Sequence, residues 1–269
     1  MLLMLSSLNE INAQRNFRGR VIYKRDARPA PRVSVGLKNR PQGGVTDESG
    51  NFSINLSGPN SRDTLVISSV GYENIIIPVR DAIQGGKFEL KEFSRNLPNV
   101  TVRSFSSEGV VGATRESVGF FRSWNYDSTG GEIGRIFSLP YEEYKVDRVR
   151  FKITNMCNAC LLRLHIREVV DGQPGDELFS DSISITVNGA TLDGKAPEFN
   201  LSKYDMVFAQ KEIFVGIEAI SCTAAPGKKE CSLCFAGTEL GDYTYKSTRS
   251  SQWEKTEDFA IYMKLFMRY

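Results

Sequence analysis

The feature that most narrows the fold is a succession of short β-branched or alternating runs, each closed by residues that favour a tight reversal. In the first third the candidate strands are Phe17–Tyr23, Arg32–Leu37, Gly44–Thr46, Asn51–Asn55, Thr64–Ser69, Tyr72–Pro78, Lys87–Leu90 and Asn99–Val102. Between them lie Asp26 to Pro31, Asp47-Glu48-Ser49-Gly50 and Gly58-Pro59-Asn60-Ser61. Gly accepts positive φ, and Asp or Asn hydrogen-bonds its own turn backbone, so these segments turn the chain. A period of two with frequent turns describes a sandwich of strands rather than packed helices. Thr46-Asp47-Glu48-Ser49-Gly50-Asn51 clusters oxygen ligands, but it lacks the staggered carboxylates and distal bidentate Glu of a calcium loop, and reads as a hairpin turn.

Four motifs fall in a specific order. They are Arg18-Gly19-Arg20-Val21-Ile22, then Pro31-Arg32-Val33-Ser34-Val35, then Gly44-Val45-Thr46-Asp47-Glu48-Ser49-Gly50-Asn51-Phe52, then Asp63-Thr64-Leu65-Val66-Ile67-Ser68-Ser69-Val70-Gly71-Tyr72. Together they resemble the carboxypeptidase regulatory-like domain of Bacteroidetes type, over residues 14–102. The resemblance implies a transthyretin-like β-sandwich of the kind found at the N-terminus of outer-membrane transporters and other exported Bacteroidetes proteins. It implies no peptidase activity, because the family name records kinship with an accessory domain. A transporter would continue into a plug and a long barrel, for which the remaining chain is too short, so transport is not implied.

Residues 103–116 are rich in Ser and Gly without periodicity, which predicts a linker. From 117 to 269 the pattern is again β, and an all-β, jelly-roll-like second sandwich of no identified family is expected. Its candidate strands include Val118–Trp124, Glu132–Leu139, Val146–Ile153, Leu161–Val169, Ser182–Val187, Ile213–Ala219, Cys231–Phe235, Tyr243–Lys246 and Phe259–Arg268. In Leu161-Leu162-Arg163-Leu164-His165-Ile166-Arg167 the alternation puts Leu162, Leu164 and Ile166 on one face and Arg163, His165 and Arg167 on the other. His165 is expected to be an exposed or half-buried strand histidine on that polar face.

Five cysteines are the sharpest chemical signal: Cys157 and Cys160 in one C-x-x-C, Cys222, and Cys231 and Cys234 in a second C-x-x-C. In an oxidising envelope compartment disulfides are the favoured fate, with one thiol left over. The alternative is a tetrahedral zinc site made by Cys157, Cys160, Cys231 and Cys234, since two C-x-x-C knuckles aim four thiolates inward. Connectivity does not follow from spacing. Thioredoxin-like chemistry is disfavoured, because it needs the first Cys at a helix N-terminus and the sequence after Cys160 is strand-like.

The rest of the sequence works mainly by exclusion. Lys and Arg number 34 against 32 Asp and Glu, with no basic run interleaved with aromatics, so nucleic acid is set aside. A single His165 disfavours a triad or an imidazole acid–base pair, and no G-x-S-x-G, H-E-x-x-H or phosphate-binding Gly-rich motif occurs. No cofactor is expected outside the zinc alternative. The apolar start Met1 to Leu8, followed by Ile11-Asn12-Ala13, resembles a signal peptide over residues 1–13. It lacks a basic n-region, so the alternatives are a true start further upstream or an ordinary N-terminus. No stretch reaches the roughly 20 apolar residues of a membrane helix.

Three functions remain. The favoured expectation is a non-catalytic exported protein of the periplasm or outer membrane, acting as an adapter or ligand-binding accessory to an envelope protein. A surface carbohydrate-binding or adhesion module is the alternative, with Trp124, Tyr126 and Trp253 as candidate stacking rings against the simpler reading of core packing. A hydrolase with an unrecognised site is the third.

Overall fold

A computed structural model of the chain describes residues 16–56, 62–93, 105–115, 121–125, 130–155, 157–179, 181–189, 196–204, 206–228, 231–238 and 241–269. The described residues are almost entirely β, with little helix. The N-terminal unit comprises β1 (Asn16–Tyr23), β2 (Ser34–Leu37), β3 (Gly43–Val45), β4 (Asn51–Asn55), β5 (Thr64–Ser68), β6 (Ile75–Pro78), α1 (Val79–Gly85) and β7 (Lys87–Leu90). Two sheets, ordered β4-β1-β7 and β3-β2-β5-β6, enclose a core that includes Val21, Val33, Val35, Leu37, Leu65 and Ile67. Phe17, Phe52 and Phe88 meet at one end of it, with ring centroids 5.5–6.4 Å apart. The Asp47 segment is a tight turn, but the expected hairpin is corrected: it carries the chain from β3 in one sheet to β4 in the other. Asp47 Oδ1 accepts from the Ser49 and Asn51 amides at 2.9 and 2.8 Å, and Gly50 adopts φ +76° where a Cβ would strike the Val21 carbonyl.

The C-terminal unit contains β8 (Glu108–Gly112), β9 (Phe121–Asn125), β10 (Glu132–Ser138), β11 (Tyr144–Phe151), β12 (Ile153–Asn155), β13 (Ala159–Val170), β14 (Gln173–Glu177) and β15 (Ser184–Asn188). It continues with β16 (Glu198–Asn200), β17 (Val207–Phe208), β18 (Glu212–Thr223), β19 (Ser232–Thr238), β20 (Tyr243–Lys246), β21 (Glu254–Thr256), β22 (Ala260–Ile261) and β23 (Met263–Arg268). A seven-stranded sheet runs β14-β13-β18-β10-β20-β21, with β15 also on β13. Facing it are β16-β11-β23-β8, with β17 on β11, and β12-β19-β22, with β9 on β19. Leu162, Leu164, Ile166, Ile213, Val215 and Ile217 meet Val149, Phe151, Phe235, Met263 and Leu265 in the shared core.

Several expectations change here. Glu108–Gly112 lies in the segment read as a linker, yet it pairs antiparallel with β23 and so completes the second sandwich. Its Gly and Ser content hid a strand whose Val111 packs on the core. Helix α1 was not anticipated because it follows β6 directly, without a turn signal. The expected strand Asn99–Val102 lies outside the described residues.

Strand β2 explains how the two units meet. Val35 and Leu37 point into the N-terminal core, while Ser34 and Gly36 face the second unit. A Cβ on Gly36 would collide with Ser250 Oγ, so only Gly allows this approach. The Asn39 amide donates to the Ser250 carbonyl at 2.7 Å, and Ser251 Oγ donates to the Arg40 carbonyl at 3.0 Å. The β3-β2 side of the first sandwich is thereby seated on the outer face of the seven-stranded sheet.

That outer face is shaped by two glycines. Gly134 and Gly216 are register partners on β10 and β18, and a Cβ on Gly216 would lie 2.5 Å from Glu132 Oε1 and 2.6 Å from the Phe214 ring. Gly216→Ala should therefore cost about 1–3 kcal/mol through overpacking. Gly189→Ala, where nothing lies within 4 Å of the added carbon, should cost far less. Urea denaturation of both variants provides the comparison.

Candidate functional site

The outer face of the seven-stranded sheet carries a dense group of charged side chains, sealed by the N-terminal sandwich. Arg163, His165 and Arg167 project from β13, Glu218 from β18, Glu132 from β10, Lys246 from β20 and Glu177 from β14. The alternation placed His165 on the polar face correctly, but that face is covered: His165 is 0% exposed and Glu132 and Glu218 are 1% exposed. The expectation of an exposed or half-buried histidine without a partner carboxylate is corrected accordingly. Alternation tells which side of a strand is polar, and the domain seated above decides whether water reaches it.

Glu218 is the hub. Its Oε2 lies 2.7 Å from His165 Nε2 and 3.4 Å from Arg163 Nη1, and its Oε1 accepts from Ser34 Oγ of the other sandwich at 2.8 Å. Arg163 Nη2 reaches across as well, donating to the Arg32 carbonyl at 2.7 Å. On the other side of the imidazole, Nδ1 lies 2.5 Å from Glu177 Oε1. The imidazole thus bridges two carboxylates, one at each ring nitrogen. Arg167 holds Glu132 through Nε and Nη2, each at 2.9 Å, and Lys246 Nζ lies 3.3 Å from the same carboxylate.

The electrostatics follow from this packing. Burial pushes the Glu218 carboxyl up, but Arg163, His165 and Arg249 outweigh it and hold it well below the usual carboxylate range. Burial likewise opposes ionisation of Glu132 and Glu177, while Arg167 and His165 pull both below their ordinary value. Lys246 goes the other way, since burial draws its ammonium down to about 8 despite Glu132. The stability contribution of the three carboxylates is present above about pH 4.5 and is lost as pH falls below that. For Lys246 the unfolded chain keeps its proton longer than the fold does, so stability rises as pH passes about 8. Urea midpoints measured from pH 3 to 9.5 should fall steeply at the acid end and climb at the alkaline end, and Lys246→Met should abolish the climb.

The candidate stacking rings are placed differently from one another. Trp253 is half-buried at the margin of the ionic group, edge-on to Phe214 at 5.0 Å, with Lys246 Nζ 4.2 Å from its ring centre. Its ring thus screens the ammonium through a cation–π contact. Trp124 stands opposite Leu233 in the β9–β19 register, and its side chain lies outside the described residues, as does Tyr126.

The cysteines form two disulfides, Cys157–Cys231 and Cys160–Cys222, leaving Cys234 buried with a free thiol. Neither C-x-x-C closes on itself: Cys157 and Cys160 go to different partners, and Cys231 is bridged while Cys234 is free. Cys160 and Cys222 face each other on β13 and β18, while Cys157–Cys231 joins the entrance of β13 to the entrance of β19 in the opposite layer. Three of the four sulfurs in the zinc alternative are therefore bonded to another sulfur rather than available as thiolates. The Cys157, Cys160 and Cys222 sulfurs nevertheless lie within 4.8 Å of one another.

Sequence reasoning missed Glu132, Glu177, Glu218, Lys246 and Arg249. A signal was present in Ile213-Phe214-Val215-Gly216-Ile217-Glu218-Ala219-Ile220, where one acid interrupts a continuous apolar run. Such a run marks a strand buried on both faces, and a charge inside it demands a buried partner.

The molecule is thus a disulfide-linked, two-unit all-β protein whose ionisable cluster is structural in its placement. Residues 17–102 match the family model described as CarboxypepD_reg-like domain. Among solved structures, the chain is similar to the cysteine protease and lectin-like domains of Cwp84, a surface layer associated protein of Clostridium difficile. That match has 13% identity, covers 56% of this chain and 36% of that one, and gives a TM-score of 0.38. Clostridial cysteine protease Cwp84 after propeptide cleavage aligns at 11% identity, covering 88% and 65%, with a TM-score of 0.43. The chain spans less than two thirds of either structure, and similarity at this level carries no functional conclusion. No curated protein matches the chain.

Proposed function

We propose that this is a non-catalytic exported protein of the cell envelope that positions a partner or ligand, with the N-terminal sandwich fixed to the second as one presenting body. The observation that carries the reading is the sealing of the domain junction. The only imidazole and the three carboxylates it neighbours are spent on ion pairs at 0–16% side-chain exposure, where no substrate reaches them. A CarboxypepD_reg-like domain is a non-catalytic sandwich, and the two disulfides are compatible with export. Among the described residues no helix is long and apolar enough to cross a membrane.

The test is site-specific photo-crosslinking in intact cells, combined with fractionation. A photoreactive residue at Ile76, 61% exposed on β6, or at Val110, 56% exposed on β8, should give a discrete adduct with one envelope protein from the extracytoplasmic fraction. Recovery of the chain in the cytoplasm, or no adduct from either position, would overturn the reading. The outward face containing Val110 favours the carbohydrate-binding alternative.

A further inference from the structure

The sheet β16-β11-β23-β8 turns one face to the core and the other to solvent. On the outward side, the strand registers align Val110, Phe266, Arg148 and Asn200 in one row across the four strands. The next row is Gly112, Lys264, Arg150 and Glu198. Arg268 and Lys145 pair in the row beyond, where Asp147 holds Arg268 at 2.7 Å through both oxygens and Glu108 stands opposite Arg268. Five cations thus share the face with Asp147, Glu198 and Glu108.

The centre of the face is preorganised. The guanidinium carbons of Arg148 and Arg150 lie 4.2 and 4.8 Å from the centre of the Phe266 ring, so two cations converge on one aromatic. Glu198 takes Arg150, accepting from its Nε and Nη2 at 3.1 and 2.9 Å. Arg148 stays 3.8 Å from Glu198, beyond hydrogen-bonding distance, and Lys264 has no hydrogen-bonding or ion-pair partner among the described residues, its Nζ lying 5.6 Å from the Tyr262 ring centre. Among the described residues, Arg148 and Lys264 therefore keep their donors for a carboxylate supplied from outside. Arg150 and Glu198 also form one wall of a cleft of about 610 Å³, whose other side is Ile185, Thr186 and Val187. That volume lies within the range of small-ligand sites, and its lining mixes apolar and polar groups. From cleft to Val110 the face crosses three strand spacings, about 14 Å.

We propose that this cleft and the adjoining face bind an acidic polysaccharide. The cleft seats one sugar, whose apolar ring face packs on the partly buried Ile185, and the chain runs across Phe266 with its carboxylates on Arg148 and Lys264. The charge excess selects an anion, the forked guanidinium suits a carboxylate, and the length of the face suits a polymer. The proposal deepens the ligand-binding form of the function above.

Titration of the full chain with short oligogalacturonates at low salt tests it, with maltooligosaccharides as the neutral counterpart and a single-stranded DNA oligonucleotide as a second polyanion. The expected result is saturable, salt-sensitive binding of the oligogalacturonate alone, weakened about tenfold or more in Arg148→Ala/Lys264→Ala. Phe266→Leu should weaken it about threefold or more. The Ala pair is outward-facing and should leave the melting temperature unchanged, so the test stands even where Phe266→Leu impairs folding. Absence of binding, equal binding of the neutral oligomer, indifference to the Ala pair, or DNA binding with the same sensitivity would each overturn the assignment. Continued envelope crosslinking from Ile76 alongside such a result would leave the positioning function standing.

Discussion

Glu218→Ala is expected to lower stability by about 3–5 kcal/mol, the cost of removing one member of a buried ionic group and leaving its partners uncompensated. Arg163, His165 and Arg249 lose their common anion, and Ser34 loses its acceptor, so both sandwiches are affected by one substitution. The native chain should unfold in urea as one coupled event, whereas the variant should show two separated transitions as the first sandwich loses its seat. Glu218→Gln preserves the shape and one carbonyl acceptor, and should lie between the two. A loss under about 1 kcal/mol for the alanine variant would mean that water already compensates these charges, contrary to the burial described here.

The second large effect comes from the disulfides. They close segments of 74 and 62 residues, for which the chain-entropy relation gives about 4 kcal/mol each. Reductant, or the pair Cys160→Ser and Cys222→Ser, should bring the melting transition of the C-terminal sandwich down sharply. Residues 14–102 contain no cysteine, and as an isolated fragment with their own core they should melt identically with and without reductant. Cys234→Ser should change less than the loss of either bridge, because that thiol forms no disulfide. An unchanged melting profile of the full chain under reductant would remove the claim that these bridges support the fold.

Much of the architecture was legible in the sequence because β-sandwiches announce themselves through alternation and turns. The Asp47 turn, the split of Leu162, Leu164 and Ile166 from Arg163, His165 and Arg167, and the regulatory-like N-terminal third all follow from local pattern. What local pattern does not carry is the identity of the covering surface. Ser34 and Gly36 look like ordinary small residues in a strand until Glu218 and Ser250 are found opposite them, 184 residues away in the case of Ser34 and Glu218. Cysteine pairing is non-local in the same way, since each C-x-x-C invites a local or metal-bound reading and the fold separates its members. Strand β8 was hidden for a different reason: its glycines lower intrinsic strand preference, and pairing with β23 overrides them.

The position of β23 in the second sandwich bears on how the chain is made. Residues 263–268 fill the slot between β11, at residues 144–151, and β8, at residues 108–112. During synthesis the N-terminal sandwich can close early, while the second must wait with a gap in one wall until those residues emerge. Contacts spanning such sequence distances form slowly. Until that late strand is inserted, the facing edges of β11 and β8 stay unpaired, and an unpaired edge is a template for pairing with another chain.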